Sequence, residues 1–167
     1  VKSLVAVALM ASCLSGCLGY HIGPVKPYYL RDVHSIAVPT FTNRTLLPRI
    51  EVLVTDTVIK QLQQDGTFEI TSEDKADAVL KGEITHVERA PARPVRGNIL
   101  ETAEFALTIY LKYSLVSKSG SQLTVNETNG STTFFVGTDV ITDERQALPL
   151  ATGQLATNLV AQLSEGW

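Results

Sequence analysis

Three of the chain's seven arginines, Arg89, Arg93 and Arg96, fall within eight residues. A guanidinium presents a planar fork of N–H donors that fits a phosphate or a carboxylate in bidentate fashion, and it stays charged at any physiological pH. Pro91 and Pro94 are interleaved with these cations and stiffen the backbone that carries them. Two readings stand. The stretch from Arg89 to Asn98 is a loop that binds an anionic ligand, or it is a solvated hairpin tip whose arginines pair with Glu88, Glu101 or Glu104. The other reactive residue types do not assemble. His21, His34 and His86 form no pair at metal-ligand spacing, and His86 is expected on the buried side of a strand. No Gly-x-Ser-x-Gly elbow and no glycine-rich phosphate loop occurs. Glu73, Asp74 and Asp77 read as a solvated turn. The expectation is a binding protein, not an enzyme, with no metal and no cofactor.

Cys17 is the second residue with a chemistry of its own. A basic start at Lys2, an apolar run from Leu4 to Met10 and the ending Leu14-Ser15-Gly16-Cys17 follow the layout of a secretory signal. The run is shorter than the ~20 residues a spanning helix needs. The Leu-Ser-Gly-Cys ending resembles the lipobox of bacterial lipoproteins. That likeness implies cleavage before Cys17 and acylation of its sulfur and new amino group. Residues 1–16 are then a lipoprotein signal peptide, 17–30 a lipidated tether and linker, and 31–167 one folded domain. Gly19, Gly23, Pro24 and Pro27 keep the tether out of helix and strand. Cys13 leaves with the signal, so no internal disulfide is available. Acyl chains contribute ~0.8 kcal/mol per buried methylene, and several on one cysteine make attachment stable. Leu18, where an aspartate would favour inner-membrane retention, points to the outer membrane. The chain carries 14 basic and 17 acidic residues. That balance offers no strongly basic face for nucleic acid.

The elements that must position these residues follow from periodicity. Ser35–Pro39 reads as a buried strand closed by its proline. From Pro48 to Asp65, the positions Ile50, Leu53, Val54, Val58 and Leu62 share one helical face, and Gly66 ends the helix. Thr67–Ile70 is a short strand. Ala78–Val87 alternates, with Ala78, Leu80, Gly82 and Ile84 on one face. Glu104–Lys118 is the longest strand, with Phe105, Leu107, Ile109, Leu111, Tyr113 and Leu115 on one face. Leu123–Val136 returns, with a break expected near Asn129-Gly130. Thr142–Glu165 is helical, with Leu148, Ala151, Leu155, Leu159 and Leu163 as its apolar stripe, loosened in its first half by Pro149 and Gly153. This order predicts an α+β fold: a two-layer sandwich with two helices packed on one face of a mostly antiparallel four-stranded sheet.

Several stretches together resemble the LptE family of lipopolysaccharide-assembly lipoproteins. They are Gly16-Cys17-Leu-Gly-Tyr20-His21, the run from Ile36 to Thr45, Leu62-Gln-Gln-Asp-Gly66, and Ala76 to Gly82. The long alternating strand and a final helix before Gly166-Trp167 complete the order. The resemblance implies two helices on a four-stranded sheet. It also implies an outer-membrane protein that plugs the LptD β-barrel, helps that barrel assemble, and binds lipopolysaccharide on its way to the outer leaflet. By position, Arg96 matches a basic residue that contributes to lipopolysaccharide binding in the family, and Arg93 and Arg89 stand beside it. A second basic position, in the loop before the last helix, has no counterpart between Gly137 and Glu144. The alternative from another class is a lipoprotein that activates a cell-wall synthase or builds a curli-type secretion pore.

Overall fold

The computed structural model describes residues 26–95, 98–135 and 140–166. A 3-10 turn (Tyr28–Leu30) leads into β1 (Ser35–Ala37), β2 (Thr42–Asn43), α1 (Ile50–Asp65), β3 (Glu69–Ile70), β4 (Ala78–Val95), β5 (Asn98–Ser117), β6 (Gln122–Phe135) and α2 (Val140–Ser164). The sheet has six strands in the order β3-β1-β4-β5-β6, and β2 also lies on β4. The strands from β4 to β6 form the antiparallel meander that alternation predicts. β1 runs parallel to β3 and β4, and β2 runs parallel to β4. The sheet is therefore mixed and six-stranded, which corrects the four-stranded, mostly antiparallel expectation. The strand not expected is β2, of two residues, while β3 keeps two of the four residues expected at Thr67–Ile70. Two residues show no alternation, and the parallel pairing of β1 with β3 arises from the crossover through α1.

The two-layer arrangement stands. Ile50, Val54, Val58 and Leu62 of α1 and Ala151, Leu155, Leu159 and Leu163 of α2 are buried in one cluster with Leu80, Ile84, Leu107, Ile109, Leu111 and Leu115. Both helices thus cover the same sheet face, and among the described residues no helix covers the other, which mixes charged pairs with the exposed Val125 and Phe135. Leu30, from the 3-10 turn, joins this core.

Local chemistry moves several boundaries. Helix α1 starts at Ile50, not Pro48, because Arg49 takes a left-handed conformation at φ 66° and makes no side-chain cap. Its end behaves as expected: Gly66, also left-handed, donates its N–H to the Leu62 carbonyl. β6 runs unbroken through Asn129-Gly130. Gly130 lies where a Cβ would collide with the backbone of Ala151 and Leu155, so the glycine lets α2 close onto the sheet. α2 continues through Pro149 as one 25-residue helix.

Candidate functional site

The arginine stretch belongs mostly to a strand, not a loop. β4 continues to Val95 and β5 begins at Asn98. Two prolines survive in β4 because its outer edge carries no strand past Ile84 among the described residues. A proline nitrogen turned outward there forfeits no ladder bond. Arg89 lies opposite Leu107, Pro91 opposite Phe105, and Arg93 opposite Glu104. The register slips between Pro91 and Arg93, leaving Ala92 as an extra residue. Opposed residues in a ladder point to the same face. Arg89 therefore lies on the helix-covered face and Arg93 on the open one.

Each of these two cations already has a carboxylate. Arg89 Nη1 donates to Glu144 Oε2 at 2.9 Å, and its guanidinium lies 5.4 Å from the Phe105 ring centre. Phe105 in turn stacks on Phe134 at 6.0 Å. Arg93 Nε lies 3.5 Å from Glu104 Oε2. Pairing with Glu104 was one of the two readings of the stretch. Glu144 was not foreseen, because it comes from the first turns of α2, 55 positions along the chain. Partly exposed pairs of this kind contribute about 0–1 kcal/mol. Arg96 and Cys17 lie outside the described residues, as do the segment 1–25 and Gly137, Thr138 and Asp139 before α2.

His86 is exposed on the open face, which corrects its expected burial. A second register slip, between Ile84 and His86, rotates it away from the core. Its ring stacks on Tyr110 at 4.0 Å. Tyr110 donates its hydroxyl to Glu88 Oε2 at 3.1 Å, and that bond raises the phenol's pKa. Lys112 and Glu127 pair at 3.0 Å on the same face, and Arg44, just past β2, pairs with Glu83 at 3.3 Å.

Where β2 leaves the sheet, a groove of about 330 Å³ opens around the outer edge of β4. Arg44, Leu46, Leu47, His86, Arg89 and Glu144 line it. Sequence reasoning did not place Arg44 beside the same groove as Arg89, since 45 positions separate them and only the sheet brings them to one groove.

Asp77 corrects another expectation. It is a clamp between β1 and β4, not part of a solvated turn. Its carboxylate accepts from the Ser35 N–H at 2.9 Å, the His34 N–H at 3.0 Å and the Ser35 hydroxyl at 2.9 Å. The Ser35 backbone bond first, then that from His34, hold its pKa below the usual carboxylate range. Among the described residues, no group of three or more His, Cys, Asp and Glu is placed to hold a metal. No described helix is long and apolar enough to cross a membrane.

A family model described as LptE, lipopolysaccharide assembly, matches residues 33–163. No curated protein sequence matches the chain. Among solved structures, a Xanthomonas campestris protein, XCC0632, is similar at TM-score 0.62 and 15% identity, covering 86% of this chain and 89% of that one. A minor lipoprotein from Acinetobacter baumannii is similar at TM-score 0.54 and 9% identity, over 80% and 94%. A dodecameric PelC from Paraburkholderia phytofirmans is similar at TM-score 0.51 and 17% identity, over 79% and 89%. At these identities the likeness is one of fold alone.

Proposed function

The chain belongs to the LptE family of lipopolysaccharide-assembly proteins, and on that premise we propose that it is a lipid-anchored protein of the outer membrane that plugs an LptD-type β-barrel. In this reading residues 1–16 are removed and Cys17 carries the acyl chains. The tether 17–30 holds the domain 31–167 at the barrel, where it helps the barrel assemble and binds lipopolysaccharide bound for the outer leaflet. The role is one of binding and assembly, without a reaction.

The observation that carries the reading is the family match across almost the whole folded part of the chain. The sheet supports it physically. Its uncovered face bears the Lys112–Glu127 pair, the His86–Tyr110 stack and the Arg44–Glu83 pair. These charged and polar pairs suit the polar lumen of a large outer-membrane barrel.

Lipopolysaccharide contact is assigned to Arg96, with Arg93 and Arg89 beside it. Arg89 and Arg93 reach a lipid phosphate only by exchanging Glu144 and Glu104 for it. Arg96→Glu is expected to weaken lipopolysaccharide binding while the thermal melt stays unchanged. Equal binding by the variant removes Arg96 from the site.

The reading as a whole is tested by affinity purification of the lipidated chain in mild detergent, with mass spectrometry of what accompanies it. A stoichiometric lipopolysaccharide-export barrel is expected. Recovery of a cell-wall synthase instead, or of self-assembled rings alone, overturns the plug assignment.

A further inference from the structure

We propose that the groove around the outer edge of β4 binds the phosphate of an anionic amphiphile, with Arg44 and Arg89 as its ligands and Leu46 as the apolar contact. The inference deepens the lipopolysaccharide-binding reading and rests on it. It adds a second phosphate contact, at the point where β2 leaves the sheet, to the one assigned at the hairpin end.

Arg44 enters the groove from the open face, beside Glu83, while Arg89 enters from the helix-covered face, beside Glu144. Two arginines thus line one groove from opposite sides of the sheet. Both of their ion pairs are solvent-accessible, with side-chain exposures of 66% and 42% for Arg44–Glu83 and 46% and 21% for Arg89–Glu144. Pairs this exposed are weak. They hold the forks in place yet yield to a phosphate, which accepts bidentate charge-assisted bonds from both.

The loop between β2 and α1 supplies the apolar half. Asn43 Oδ1 accepts from the Thr45 N–H at 2.8 Å and the Thr45 hydroxyl at 2.7 Å, while Asn43 Nδ2 donates to the Leu47 carbonyl at 2.8 Å and Glu51 Oε2 at 2.9 Å. These bonds fix the loop, and the fixed loop presents Leu46 wholly exposed on the groove wall. Paired cations beside an apolar side chain match the junction of a lipid headgroup and its acyl chains. The groove's volume of about 330 Å³ lies within the range of small-ligand pockets.

Binding is measured on the full lipidated chain in detergent micelles. The probes are lipopolysaccharide and the same material stripped of its lipid phosphates, and unchanged melting temperatures report the fold of each variant. Arg44→Gln alone is expected to weaken binding of the phosphorylated form about tenfold and to leave the stripped form unaffected. Glu144→Gln is expected to tighten binding, because it removes the carboxylate that competes for Arg89. A purely structural Arg89–Glu144 pair predicts no such gain. Leu46→Ser should weaken both forms.

Wild-type affinity in Arg44→Gln, or weaker binding in Glu144→Gln, overturns the groove while wild-type binding keeps the broader reading. If the wild type binds no lipopolysaccharide, that reading fails and vesicles containing phosphatidylglycerol decide the groove. Binding that Arg44→Gln weakens supports it, and absence of wild-type binding overturns it. Inorganic phosphate that competes as well as the lipid marks a free-phosphate site and overturns the amphiphile assignment.

Discussion

At the residue scale, Asp77 has the clearest measurable consequence. Three donors from His34 and Ser35 stabilise its charged form, so its folded pKa lies below the ordinary value of 3.8. A depressed carboxylate pKa adds stability at any pH above the unfolded value, and that stability is lost as pH falls through the folded value. The loss for Asp77 therefore begins near pH 4 and grows toward lower pH. Asp77→Asn is expected to lower the urea midpoint at pH 7 and to flatten its decline between about pH 4 and pH 2. Parallel acid profiles for the two proteins would deny Asp77 the clamp role. The arginines teach the complementary lesson. Their clustering in sequence is plain, yet Arg89 and Arg93 end on opposite sheet faces because one extra residue, Ala92, enters the ladder.

At the scale of elements, the two long edges of β4 are treated differently. One edge is paired along its length with β5. Among the described residues, the other carries only β1 and β2, over its first half. Pro91 and Pro94 occupy the remainder, which pairs with no described strand, where a bare strand edge otherwise invites addition of a foreign strand. The contact between α2 and β6 depends on a missing side chain. Gly130→Ala is expected to destabilise the fold by about 1–3 kcal/mol, because the new methyl meets helix backbone that cannot step aside. Chemical denaturation measures it, and a variant as stable as the wild type would mean that the helix floats above the sheet.

At the scale of the whole molecule, one apolar layer holds two helices to one sheet. Ile109 sits at its centre with no exposed surface. Ile109→Asp is expected to cost about 3–5 kcal/mol, since an unpaired charge is buried there. Domains of this size have only about 5–15 kcal/mol in total. Loss of the cooperative melt is the expected result, and a normally melting variant would reverse the assignment of sheet faces. The β4–β5 hairpin is the other large-scale feature. At 18 residues, β4 has a contour length of roughly 60 Å. Its arginine-bearing end is thus far from Lys26, which packs over Phe68 near β3.

The long elements were legible in the sequence because periodicity is a local property. Leu107, Ile109, Leu111 and Leu115 recur at two, while Val54, Val58 and Leu62 recur at four, and each set lies in the core. The candidate site was legible only in part. Residue type marked the arginines, but their faces and partners depend on register slips, and no composition announces a slip. The parallel strands β1, β2 and β3 depend on a crossover that brings distant short segments together. Arg44 and Arg89 share a groove for the same reason. The sequence by itself determined which stretches become helix or long strand and which residues carry charge. The tertiary structure alone decided which charges meet, since contacts across a sheet join residues that no local pattern connects.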